Sequence, residues 1–192
     1  MAKIESTFKN MVLTLFIITL IASLSLGGIY NLTKGPIALA EKAAQEAAIR
    51  QVIPGFDELK TFRVLPVNGA DSLVFNQGIK DGNVVGTAVL SYSTQGYDPT
   101  PIKLMVGILP DGTISNTEVI QQKETPGLGT KMSLPEFKDQ FMNINPKDFT
   151  LKVKKDGGQV DAITAATISS RAFCDAVERA YLTYENIKEE SK

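Results

Sequence analysis

Asp161-Ala162-Ile163-Thr164-Ala165-Ala166-Thr167 is the stretch around which this chain is organised, together with the run that follows it. From Ile168 the apolar residues Ala172, Phe173, Ala176, Val177, Ala180, Tyr181 and Tyr184 recur at helical spacing, which predicts a helix to about Asn186. Thr167 then lies at or beside the helix N-cap. Unpaired N–H groups and the positive end of the helix dipole gather there and favour a phosphate. A threonine in that place is open to two readings, a plain cap or a residue that binds or is joined to a phosphate.

Upstream of this stretch the pattern is one of short strands. Thr61–Val67, Ser72–Ile79, Val84–Thr94, Ile102–Leu109 and Thr113–Gln121 are separated by turn formers such as Asp81-Gly82-Asn83 and Pro110-Asp111-Gly112. A short helix is expected near Pro135 to Met142, and another strand over Phe149–Lys154. Strands closed by a helix give an α+β domain with a mostly antiparallel sheet.

Nearer the N-terminus, Lys9 to Lys34 encloses a run without charge, and Met11 to Tyr30 reads MVLTLFIITLIASLSLGGIY. About 20 residues at ~1.5 Å each cross roughly 30 Å of hydrocarbon, so a transmembrane helix is expected, with a cleaved signal peptide as the competing reading. Lys3 and Lys9 against Glu5 favour a cytoplasmic N-terminus slightly. Pro36 to Ile53 reads as a helix with Pro36 in its first turn and Pro54-Gly55 at its end, either a stalk or the first helix of the following domain. The expected layout is a tail over 1–10, a transmembrane helix over 11–30, a helical connector over 31–55 and a domain over 56–192.

Composition narrows the chemistry. A net charge of −1 gives no electrostatic footprint for nucleic acid. With no histidine, the usual general base and the commonest metal ligand are missing. Cys174 is the only cysteine, which excludes intramolecular disulfides and cysteine-ligated clusters. There is also no Gly-x-Ser-x-Gly elbow for a hydrolase and no Gly-x-Gly-x-x-Gly for a nicotinamide. Redox chemistry here requires a cofactor.

Asp161, Thr164, Ala166 and Thr167, as Asp-x-x-Thr-x-Ala-Thr, resemble the flavinylation motif of the FMN-binding domain shared by the G subunit of the Rnf complex and the C subunit of the sodium-pumping NADH:quinone reductase. Glu124-Thr125-Pro126-Gly127-Leu128-Gly129 is similar to a second motif of those proteins, and Gln95-Gly96-Tyr97 with the strand from Pro101 to a third.

The resemblance implies FMN joined by a phosphoester to Thr167, attached by a separate flavin transferase. Thr164, Ser169 and Ser170 would solvate the phosphate, with Arg171 as a further counter-charge, and Ala166 and Ile168 would complete the phosphate end. Asp161 would shape the turn or serve the transferase. Glu124, Thr125, Gly127, Leu128 and Gly129 would lie against the flavin ring.

As a whole the resemblance implies an electron-carrying subunit of an ion-translocating complex, most similar to the Rnf type. Such a protein has no active site of its own and works beside other membrane subunits. It would sit in the bacterial inner (cytoplasmic) membrane, with the flavin domain on the periplasmic or extracytoplasmic side. The alternatives are the quinone-reductase counterpart and a membrane-anchored binding module without flavin. Two positions depart from the pattern. Ala165 stands where the family usually has glycine and gives up easy access to positive φ. Gln122 stands where histidine is frequent; it can shape the loop but cannot titrate near neutral pH.

Overall fold

A computed structural model describes residues 7–190 except Pro54. Lys3 and Glu5 of the tail, and the expected helix stop at Pro54, lie outside the described residues. The chain forms two compact units, Met1–Ala43 and Ala44–Lys192.

The first unit belongs to helix α1 (Phe8–Val52). It contains a stretch with mean hydropathy 2.3, none of it buried, and is long and apolar enough to cross a membrane. Phe16, Ile21 and Leu24 are exposed along it. Its threonines satisfy their hydroxyls within the helix: Thr14 donates to the Asn10 carbonyl (2.7 Å) and Thr19 to that of Leu15 (2.9 Å). Pro36 does not open a separate helix as expected; it sits inside α1. Its missing N–H removes one bond, to the Leu32 carbonyl, while good helix formers on both sides carry the helix through.

In the second unit, β1 (Glu58–Val64), β2 (Leu73–Lys80), β3 (Asn83–Ser93), β4 (Ile102–Ile108) and β5 (Ile114–Gln121) form one antiparallel sheet in chain order. Two turns set the register. Lys80 pairs with Asn83 across Asp81 (φ 51°) and Gly82 (φ 77°), the positive angles a two-residue hairpin requires. Between β4 and β5, Gly112 takes φ 93° and Asp111 accepts the Thr113 N–H at 2.9 Å.

Helix α3 (Thr167–Glu190) packs on one face of this sheet, in a core that includes Phe75, Val89, Leu104 and Val106 beneath Phe173, Ala176 and Val177. The Ser91 hydroxyl donates to the Ala176 carbonyl at 2.7 Å and ties helix to sheet. Phe137 and Phe141, from the short helix α2 (Pro135–Lys138) and the 3-10 turn after it, pack against Phe173 with ring centroids 5.2 and 4.7 Å away. On the opposite face the end of α1 places Ala48, Ile49 and Val52 over Ala88 and Met105.

Phe149–Lys154 is not a strand, contrary to expectation. Leu151 and Val153 are buried while Lys152 and Lys154 are exposed, so the alternation is real. The segment lacks a sheet neighbour because its backbone closes locally: Lys154 N–H bonds the Val160 carbonyl and Val160 N–H that of Lys152. Only a single bridge, Val153 to Val160, results.

Candidate functional site

The segment before α3 is fixed from both sides. Gln140 brackets the backbone of Asp161, accepting its N–H at 2.7 Å and donating to its carbonyl at 3.2 Å. The Asp161 carboxylate pairs with Lys154 at 2.7 Å on the surface. A turn follows in which Ala166 N–H reaches the Ile163 carbonyl (2.9 Å) and Ala165 takes φ 62°. Glycine is the residue this position favours. Ala165 adopts the angle nonetheless, so its methyl leaves the turn intact at a cost of about 1 kcal/mol. We expect Ala165→Gly to raise unfolding stability by only a few tenths of a kcal/mol in urea titrations, since the added unfolded-state entropy of the glycine offsets most of the strain relieved. A loss of stability would contradict this account of the turn.

Ser170 holds the turn to the helix. Its hydroxyl accepts the Ile163 N–H (2.9 Å) and donates to the Ala166 carbonyl (3.0 Å). Ser170 is also the first residue of α3 whose own N–H finds a carbonyl, that of Ala166 at 3.0 Å. The N–H groups of Thr167, Ile168 and Ser169 are therefore the open donors of the helix start. The Thr167 side chain is half-buried, and its hydroxyl has no hydrogen-bond partner among the described residues.

These groups face a cavity of about 540 Å³ lined by Tyr97, Glu124, Thr125, Leu128, Gly129 and the segment from Ala165 to Ser169. That volume lies within the ordinary range for small-molecule sites. Its apolar wall includes Leu128 and Ile168, 38 % and 46 % exposed. The loop opposite α3 turns at Gly127 (φ 75°), with the Leu128 N–H on the Thr125 carbonyl at 3.1 Å and the Gly127 N–H on the Thr130 hydroxyl at 3.0 Å. Gln122 shapes this loop, its side-chain carbonyl accepting the Glu124 N–H at 2.7 Å.

Glu124 joins three segments. Its Oε1 accepts the N–H groups of Tyr97 (2.9 Å) and Asp98 (3.3 Å), and its Oε2 accepts the Ser169 hydroxyl at 2.5 Å. Two glycines make room for it. A Cβ on Gly96 would stand 2.6 Å from Oε1, and one on Gly129 would stand 2.5 Å from the Ser169 Oγ.

Of the residues singled out from sequence, Thr167, Ala166, Ile168, Ser169, Glu124, Thr125, Leu128 and Gly129 line the cavity; Gly127, Thr164 and Asp161 do not. Ser169 and Ser170 give their hydroxyls to protein acceptors, so neither is free to meet a phosphate. Arg171 is also engaged elsewhere, holding Asp156 through two hydrogen bonds of 2.7 and 2.8 Å. That contact keeps the Asp156 carboxyl below the usual carboxylate range. Tyr97 and Ala165 join the site; the Gly96-Tyr97 turn was the available signal for the former. Cys174 is buried, its thiol pushed up to about 12 by desolvation, and so is unreactive near neutral pH.

The cavity fits FMN: an unpartnered hydroxyl and three open amides stand at the α3 end, and Leu128, Ala165, Ala166 and Ile168 give it apolar wall beside the polar Glu124 and Thr125. Among the described residues its lining contains no lysine or arginine.

Residues 96–182 match the FMN-binding domain family. The chain is 34 % identical over 177 residues to the G subunit of the ion-translocating oxidoreductase complex of Methanosarcina acetivorans, covering 89 % of this chain and 91 % of that one. It is 33 % identical over 196 residues to the protein of the same name from Aliivibrio fischeri (95 % and 91 % covered). With the G subunit of the Na(+)-translocating ferredoxin:NAD(+) oxidoreductase complex of Acetobacterium woodii, identity is 29 % over 192 residues (91 % and 90 %). The crystal structure of Shewanella oneidensis NqrC is similar with a TM-score of 0.49 and 21 % identity over 73 % of each chain. From the extent of these matches, the chain belongs to the family of G subunits of ion-translocating oxidoreductase complexes.

Proposed function

We propose that this chain is an electron-transfer subunit of a membrane-bound, ion-translocating redox complex of the Rnf type, holding FMN in the cavity through a phosphoester to the Thr167 oxygen. The observation that carries the reading is the unpartnered Thr167 hydroxyl at the start of α3, in a cavity whose lining has no cationic side chain among the described residues. A phosphate monoester brings between one and two negative charges at neutral pH, whereas the diester made by attachment brings one. Helix-terminal amides alone suit the smaller charge. Once bound, FMN supplies one- and two-electron chemistry.

The chain's own residues hold and enclose it. Thr167 provides the attachment atom, the amides of Thr167, Ile168 and Ser169 meet the phosphate, and Leu128 and Ile168 limit water. Thr125 and Gly127 shape the facing loop, while Asp161 and Thr164 set the approach to the turn. Residues 1–10 would form a tail, 11–30 the membrane span, 31–55 a connector and 56–192 the flavin domain, on the extracytoplasmic side. Its partners are the other membrane subunits of the complex and a flavin transferase for maturation. The two departures from the family pattern do not argue for a flavin-free binding module, because Ala165 reaches the required φ and Gln122 shapes the loop.

Co-expression with a flavin transferase tests the reading through Thr167→Ala. The variant should lose all flavin fluorescence on a denaturing gel, while the two proteins made without the transferase, both flavin-free, should agree in stability within about 0.5 kcal/mol because alanine suits a first helical turn. Fluorescence retained by the variant would overturn the assignment.

A further inference from the structure

Glu124 is 3 % exposed and lines the same cavity as Thr167. Three groups donate hydrogen bonds to its two oxygens, the amides of Tyr97 and Asp98 and the Ser169 hydroxyl, so the side chain acts purely as an acceptor, as a carboxylate does. None of the ion pairs among the described residues includes it. A buried charge without a counter-ion is costly even when hydrogen-bonded.

The ties themselves do not need that charge. A glutamine could accept the two amides through its carbonyl and donate to the Ser169 oxygen, preserving all three contacts without burying an ion. The three contacts therefore do not by themselves select a carboxylate over an amide; the charge is accommodated beside the positive end of α3, where Ser169 holds it.

We propose that Glu124 sets the reduction potential of the flavin in this cavity, its fixed negative charge disfavouring the reduced form. This rests on the cofactor reading above. Uptake of two electrons and one proton, from dithionite in a titration or from a reduced electron carrier in the complex, leaves the flavin ring with one added negative charge. A carboxylate on a poorly solvated wall opposes that gain and lowers the potential.

The test is a potentiometric dithionite titration of full-length, flavin-loaded protein in detergent, comparing wild type, Glu124→Gln and Ser169→Ala. Glu124→Gln keeps the ties and removes the charge. It should favour two-electron reduction at least tenfold, an upward shift of about 30 mV or more. Ser169→Ala keeps the charge but removes one donor that disperses it, and should shift the potential downward. Opposite signs in the two variants are the expected result.

A loaded Glu124→Gln protein with the wild-type potential, or two shifts of the same sign, would overturn the proposal and leave the flavin assignment standing. Should Glu124→Gln fail to load, Ser169→Ala decides: a downward shift supports the proposal, and no shift or an upward one overturns it. Failure of both variants to load beside a loaded wild type reduces Glu124 to a structural tie and overturns the proposal. A wild type that takes up no flavin overturns the cofactor reading, and this proposal with it.

Discussion

Gly107→Ala is expected to destabilise the folded domain by about 3 kcal/mol, the upper part of the range for overpacking, because the intruding methyl meets backbone. Gly107 lies in β4, directly beneath the end of α1. A Cβ there would stand 2.0 Å from the Val52 carbonyl oxygen and 2.5 Å from the Ser115 Oγ. The last carbonyls of α1 have no further helical turn to accept from. They are met from β5 instead: the Ser115 hydroxyl donates to Val52, and the Asn116 amide to Gln51 at 3.3 Å. The methyl would push the helix end off the sheet and break both caps while exposing Ala48 and Val52. Urea denaturation of the full chain in detergent measures the cost. Ser115→Ala, which removes one cap without a clash, should cost only about 1 kcal/mol. A Gly107→Ala protein within about 0.5 kcal/mol of wild type would refute this packing account.

Gly129→Ala should act on the site itself. Its Cβ would fall 2.5 Å from the Ser169 Oγ, 2.6 Å from the Glu124 Cβ and 2.8 Å from the Glu124 Oε2. There is room for the methyl only if the Ser169–Glu124 hydrogen bond parts, which strips a donor from a buried carboxylate and separates the loop from the first turn of α3. The expected result is a loss of about 2–3 kcal/mol in stability. Covalent flavin per protein should fall at least tenfold, read as absorbance after denaturation. Gly127→Ala makes the contrast. No atom lies within 4 Å of its added Cβ, but φ is 75°, so strain of about 1 kcal/mol is the whole penalty and most of the flavin loading should survive. Equal loading in all three proteins would show that the Gly129 contact does not organise the cavity.

These glycines show what was legible in the sequence and what was not. Asp81-Gly82 and Asp111-Gly112 announce their hairpins, because the chemistry of a tight turn is local. Helical spacing from Ile168 to Tyr184 is equally local, and the helix forms there. Phe149 to Lys154 misled for a related reason: alternating burial is a property of the segment, whereas a strand also needs a neighbour whose hydrogen bonds are free. Pro36 misled in the other direction, since several turns of good helix formers outweighed one missing N–H.

At the site, the two motifs gave most of the cavity lining, but their internal ties were hidden. Glu124 and Ser169 are 45 positions apart and meet only because the loop after β5 lies against the first turn of α3. Arg171 carries a charge that by sequence position suits a phosphate, yet Asp156 holds it. The serines after Thr167 read as hydroxyls that solvate the phosphate. Burial separates them: Ser169 and Ser170 turn inward to protein acceptors, and Thr167 keeps its hydroxyl open to the cavity.

Covalent attachment at Thr167 is tested most directly by peptide mass spectrometry of wild-type protein produced with a flavin transferase. The peptide holding Thr167 is expected to carry the added mass of FMN, with fragmentation locating it on that residue. A folded protein in which that peptide is wholly unmodified, or in which the flavin mass sits on Thr164, would contradict the assignment.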